Sequence, residues 1–163
     1  MVSDAPAGIF RRPSELRRID VGGFEVLVHA DAADTGGAFS LIETVETELG
    51  SGPPLHVHRD AIESFVVLEG RYVMTIEEHE IECEAGSFVL VPRGARHTFR
   101  SATESSRKLN LYTPAAMVGY FDELAAAIAA GVDEAALDAI AGRYSMDVVG
   151  TVPDGYLPTR DAN

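Results

Sequence analysis

The chain has 163 residues, 46% of them hydrophobic, which suits one compact domain with a real core. Twenty-six acidic residues against 13 basic ones leave a net charge of −13, a field that repels phosphate backbones and anionic lipid and so argues against nucleic acid or a membrane as partner. A single cysteine, Cys83, excludes an internal disulfide and a thiolate-rich zinc site, and reads as a packing residue.

The opening segment MVSDAPAGIFRRPSELRR lacks the apolar centre of a signal peptide, and no apolar run approaches the roughly 18 residues of a membrane span, so a soluble, cytoplasmic protein is expected. Arg11, Arg12, Arg17 and Arg18 cluster here and read as a solvated or intramolecularly paired face. Strands are predicted in order at GFEVLVHA, AFSLIETVETEL, IESFVVLE, RYVMTIEE, HEIECE, SFVLV, HTFRS and RKLNLYT, each mixing β-branched or aromatic residues with period-two alternation. Gly and Pro separate them at DTGG, GSGPP, EG, EAG and PRGA. Many short strands between such turns predict an all-β sandwich or barrel. Its default core is Phe39, Phe65, Val67, Met74, Phe88, Leu90 and Phe99.

The pattern changes at Thr113. Thr113 followed by Pro114 reads as a helix N-cap with proline at the first helical position, and Met117, Phe121, Leu124 and Ile128 follow at helical spacing up to Gly131. Asp133 can cap a second helix, with Leu137 and Ile140 on one side. One domain over 1–163 is expected, with a barrel over 20–113, C-terminal α-helices over 114–142 and an extended tail over 143–163.

The stretch PPLHVHRDAIESFVV carries the chemistry. His56 and His58 are two apart, so on a strand both imidazoles share one face. Glu63 lies an odd number of residues beyond; a turn at RDA would let it open the next strand and point back at the pair. Two imidazoles and a carboxylate leave room at a metal for another donor. His97, at the head of its own strand after the PRGA turn, is the best candidate, with Phe99 on the same inward face. His29 and His79 read as surface or packing residues.

Gly50, His56, Val57, His58, Glu63 and Gly70, at spacings of five, none, none, four and six intervening residues, resemble the first cupin motif. Gly86, Pro92, Arg93, Gly94 and His97 resemble the second, although Ser101 stands where that family often has asparagine. The chain is identified by these motifs as similar to small single-barrel cupins of the quercetin 2,3-dioxygenase kind. The resemblance implies a double-stranded β-helix, or jelly-roll barrel, binding one divalent transition metal (Fe, Mn, Ni, Co, Cu or Zn) through His56, His58, Glu63 and His97. Glu63 has a second expected role as catalytic base. The implied activity is a dioxygenase on a flavonol-like or other enolisable aromatic substrate, bound in an apolar cavity. A non-redox isomerase or cyclase and a non-catalytic ligand-binding module remain alternatives. A homodimer is expected, because open sheet edges need cover and segments such as FEVLVHA could cross between subunits.

Overall fold

The computed structural model describes residues 8–150. Strands β1 (Arg17–Asp20), β2 (Phe24–Ala30) and β3 (Ser40–Glu46) are followed by β4 (His56–His58), β5 (Ile62–Glu69), β6 (Arg71–Ile76), β7 (His79–Glu84), β8 (Phe88–Val91), β9 (His97–Ser101) and β10 (Ser106–Thr113). A four-residue helix α1 (Ala32–Thr35) links β2 to β3, and α2 (Val118–Ala130), α3 (Glu134–Arg143) and β11 (Met146–Val148) follow the barrel. One sheet runs β1-β2-β3-β10-β5-β8 and the other β11-β4-β9-β6-β7. Each of these pairings is antiparallel, as the jelly roll requires.

Eight of these strands are the ones the alternation predicts, and the HVH pair forms the short strand β4. β1 and β11 are additional. Of the tail expected over 143–163, Met146–Val148 pairs with β4, and residues 151–163 lie outside the described residues. The first long helix begins later than expected. β10 stays paired with β5 through Thr113, opposite Ile62, so the backbone is still extended where an N-cap was anticipated, and α2 starts at Val118 with Met117 as its N-cap. Asp133 does cap α3, accepting from the Ala136 N–H at 2.9 Å.

Phe65, Val67 and Met74 are buried, whereas Phe39 (38% exposed), Phe88 (64%) and Leu90 (50%) are not core. FVLV is apolar on both faces, so period two cannot set its phase. Val89 and Val91 point inward and their neighbours outward. The clustered arginines are paired within the chain, as Arg11–Asp34, Arg12–Glu15, Arg17–Asp122 and Arg18–Glu25. β2 pairs with both β1 and β3 of its own chain. Among the described residues no helix is long and apolar enough to cross a membrane.

Two core clusters result. The smaller fills one end of the barrel around Phe65, Tyr72 and Met74. The larger joins β1, β2 and β3 to α2, α3 and Met146, so the C-terminal helices are packed into the protein through Phe121, Leu124 and Ile140.

Candidate metal centre

Each of the four predicted residues reaches the centre from a different constraint. β4 is only three residues long. It is held by β9 through the single pair His56↔His97 and by β11 through Met146↔His58 and Val148↔His56. The loop before it is tied down by close approach. A Cβ on Gly52 would lie 1.7 Å from the Phe99 carbonyl oxygen, so only glycine lets this loop lie against β9. Thr98 Oγ1 donates to the Pro53 carbonyl at 2.6 Å, and Ser101 Oγ donates to the Glu48 carbonyl at 2.6 Å while accepting from the Ser51 N–H at 3.1 Å. Ser101, where the motif often has asparagine, therefore anchors the approach to His56.

Arg59 and Asp60 make the predicted turn, and Glu63 rises in β5 on the opposite sheet, facing the histidines across the barrel. The ligand-capable atoms of His56, His58, Glu63 and His97 lie within 4.8 Å of one another, and all four residues are buried. Glu63 Oε2 is 3.0 Å from Nε2 of both His58 and His97. Its Oε1 accepts from Asn110 Nδ2 at 2.9 Å.

The outer contacts decide whether a metal fits. His56 Nδ1 faces the Pro54 carbonyl at 2.8 Å and His97 Nδ1 the Ala95 carbonyl at 3.0 Å. Donation to those oxygens fixes the tautomer and turns each Nε2 lone pair inward, the usual arrangement behind metal-binding imidazoles. These two nitrogens, with Nε2 of His58 and one carboxylate, suit a first-row divalent ion with positions to spare.

Electrostatics agree. Burial pushes the His56 imidazole down to about 3, helped by His97 and His58, so it stays neutral. Burial would raise Glu63, but hydrogen bonds from His58 and His97 outweigh it and hold the carboxyl well below its usual range. His97 is pulled down by burial, and Glu63, the Ala95 carbonyl and Glu77 together outweigh it, with a net rise. The raised His97 imidazole therefore holds its proton to higher pH than an ordinary histidine, and a metal bound there would have to displace it. The stability it gains from Glu63 is fully present below its ordinary value and is lost as pH rises through the raised one. The melting-temperature gap between metal-loaded and metal-free protein should therefore widen from about pH 6 to about pH 8. A gap that is flat or shrinks across calorimetric scans over that range would contradict this charge assignment.

Residues beyond the predicted four complete the site. Lys108, Asn110 and Tyr112 alternate along β10 and all face inward. The Tyr112 ring meets His58 edge-on, with centroids 5.6 Å apart. Asn110 Oδ1 is a buried side-chain polar atom with no partner among the described residues. The signal was present in RKLNLYT, where polar and apolar residues alternate, but apolarity favours the leucines as the inward set. A cavity of about 50 Å³ lies against His56, His58, Glu63 and Asn110, walled by Phe24, Phe99, Met117, Tyr120, Phe121 and Met146. His29 and His79 lie elsewhere. The first faces Glu43 at 3.1 Å on the outer surface of its sheet, and the second is exposed at the start of β7.

A jelly roll with three histidines and a glutamate converging inside it defines the class. Residues 43–111 match the cupin domain family, and the fold is the cupin jelly roll. It is similar to quercetin 2,3-dioxygenase of Bacillus subtilis (strain 168), 28% identical over 96 residues; these make up 59% of this chain and only 28% of the length of that relative. Among solved structures, KdgF from Halomonas sp. superposes with a TM-score of 0.60 at 17% identity, over 66% of this chain and 94% of that one. The polyketide cyclase RemF from Streptomyces resistomycificus superposes with a TM-score of 0.55 at 20% identity, over 64% and 80%. At these identities the two structures establish the fold.

Proposed function

We propose that the protein is a metal-dependent dioxygenase acting on a flavonol-like or other enolisable aromatic small molecule. The observation that carries this reading is the inward-facing set His56, His58, Glu63 and His97 at the floor of a cavity walled by aromatic and methionine side chains. The similarity to quercetin 2,3-dioxygenase supports the substrate class. His56, His58 and His97 would hold the metal, with Glu63 as fourth donor. When bound, the metal supplies a Lewis-acid centre for a substrate oxygen and, if redox-active, a meeting point for substrate and O2.

Glu63 accepts the acidic proton of the substrate hydroxyl at Oε2, a role open to a carboxylate kept ionised by its environment. Asn110 Nδ2 holds Oε1, which fixes the carboxylate plane. Phe99 and Phe121 clasp the ring and keep water out. With each of the six metals loaded in turn, the protein should consume O2 in step with loss of some flavonol or catechol, with no nicotinamide or flavin added. Ligand-induced stabilisation without O2 uptake under any metal would instead identify a non-redox isomerase or cyclase, or a binding module, on the same donors.

The same reading includes a homodimer, formed through the outer face of the six-stranded sheet. Phe88 and Leu90 are exposed on β8, an edge strand whose outer side is unpaired among the described residues, and Leu68 (39% exposed) lies on the adjacent β5. Light scattering at tens of micromolar should give twice the 17.4 kDa chain mass, falling toward one chain mass in Leu90→Glu. Wild-type protein at 17.4 kDa would refute the dimer.

A further inference from the structure

The cupin match ends at residue 111, yet besides Tyr112 in β10 four walls of the cavity come from beyond it: Met117 ahead of α2, Tyr120 and Phe121 in α2, and Met146 in β11. All four are at least nine-tenths buried. The segment carrying them is packed firmly. Phe121 meets Phe24 edge-on with centroids 6.1 Å apart, and both belong, like Leu124 and Ile140, to the large cluster around Val26 and Ile42 or pack against it. Ser40 Oγ donates to the Ala116 carbonyl at 2.6 Å and anchors the turn into α2. Met117 sits in the left-handed region at φ 70°, which a residue with a Cβ adopts only where its surroundings hold it.

The cavity these walls leave is about 50 Å³. Benzene occupies roughly 150 Å³ in an apolar protein cavity, and drug-sized ligands occupy pockets of roughly 300–1,000 Å³. A single ring is therefore within reach of a modest adjustment. Methionine supplies it, because its unbranched thioether can swing aside without moving backbone. A three-ring flavonol needs displacement of α2 itself, which the large cluster opposes.

We infer that Met117, Tyr120, Phe121 and Met146 are the specificity-determining residues, and that they select compact, single-ring enolisable ligands over fused or multi-ring ones. This rests on the metal-site reading above and narrows its substrate class. Met117 and Met146 yield to admit the ring, Phe121 and Tyr120 set its outer limit, and its oxygens would face the metal site formed by His56, His58, Glu63 and His97.

The test is calorimetric titration of the metal-loaded full chain with catechol as the single-ring probe and quercetin as the three-ring probe, with metal content measured before and after. Wild type should bind catechol at least about tenfold more tightly than quercetin, the discrimination that one or two methylenes of pocket space commonly give. Met117→Ala should shift that ratio toward quercetin by roughly tenfold at unchanged metal content. Phe121→Leu, a milder change to the packed cluster, should shift it the same way if Met117→Ala fails to fold. Quercetin binding as tightly as catechol in wild type, or a ratio that moves in neither folded variant, overturns the inference while the metal-site reading stands. A wild-type chain that takes up no metal overturns both, and one that takes up metal but binds neither probe overturns the inference alone.

Discussion

Glu63→Gln should keep most of its metal and lose about 10² to 10⁴ in kcat, the range general-base catalysis supplies. The amide has nearly the shape of the carboxylate, can still present a carbonyl oxygen to a metal, and cannot take a proton at neutral pH. Its NH2 group also has somewhere to go. Glu63 Oε1 now accepts from Asn110 Nδ2, and Asn110 Oδ1 is a buried acceptor without a partner among the described residues. A flip of the Asn110 amide would offer Oδ1 to the new NH2 and put Nδ2 where Oδ1 now has no partner, a cost to stability that leaves the histidine donors in place. His97→Ala is a different loss. It deletes a nitrogen whose tautomer is set by the Ala95 carbonyl and which nothing nearby replaces, so metal and turnover should fall together. If Glu63→Gln loses metal as fully as His97→Ala, the glutamate is chiefly a ligand. If it keeps both metal and full turnover, the base assignment is wrong.

The second large effect is on stability. Lys108 is 0% exposed, with Nζ 2.7 Å from Glu46 Oε1 and 2.5 Å from Thr44 Oγ1, and it lies 3.6 Å from the centroid of the Phe99 ring. Tyr72 donates its hydroxyl proton to the other Glu46 oxygen. Burial lowers the Lys108 ammonium, and the Glu46 carboxylate opposes that shift. Removing one member of such a pair leaves a charge buried without its counterpart, so Lys108→Met should cost about 3–5 kcal/mol in urea denaturation. Lys108→Met combined with Glu46→Gln should recover most of that loss, because the stranded charge is gone and glutamine still accepts from Tyr72. A loss under about 1 kcal/mol for the single change would mean that the Glu46 charge is compensated some other way.

Much of this was legible before any coordinates. The HVH pair, the turn at RDA and the position of His97 after PRGA specify the donor set, because strand periodicity and turn residues act locally and leave few alternatives. Where local rules compete with tertiary contact, reading stops. RRID and MDV are too short and too polar to read as strands; β1 and β11 exist because β2 and β4 offer them a free edge. FVLV satisfies either phase of the alternation, so Phe88 and Leu90 were misplaced in the core. RKLNLYT hides its functional face, since a lysine and an asparagine point inward only where a glutamate on a neighbouring strand pairs with each. Thr113–Pro114 carries the local marks of a helix start, but the pairing of Thr113 with Ile62 keeps the chain extended there.

The most direct measurement is metal analysis of the untagged protein purified without chelator, followed by melting of the stripped and reloaded chain. The account predicts close to one divalent transition metal per chain, and a melting temperature raised by reloading, since a ligand that binds only the folded state adds about 2.7 kcal/mol at a hundredfold excess over Kd. Protein that arrives without metal and whose melting point moves with none of Fe, Mn, Ni, Co, Cu or Zn would contradict it.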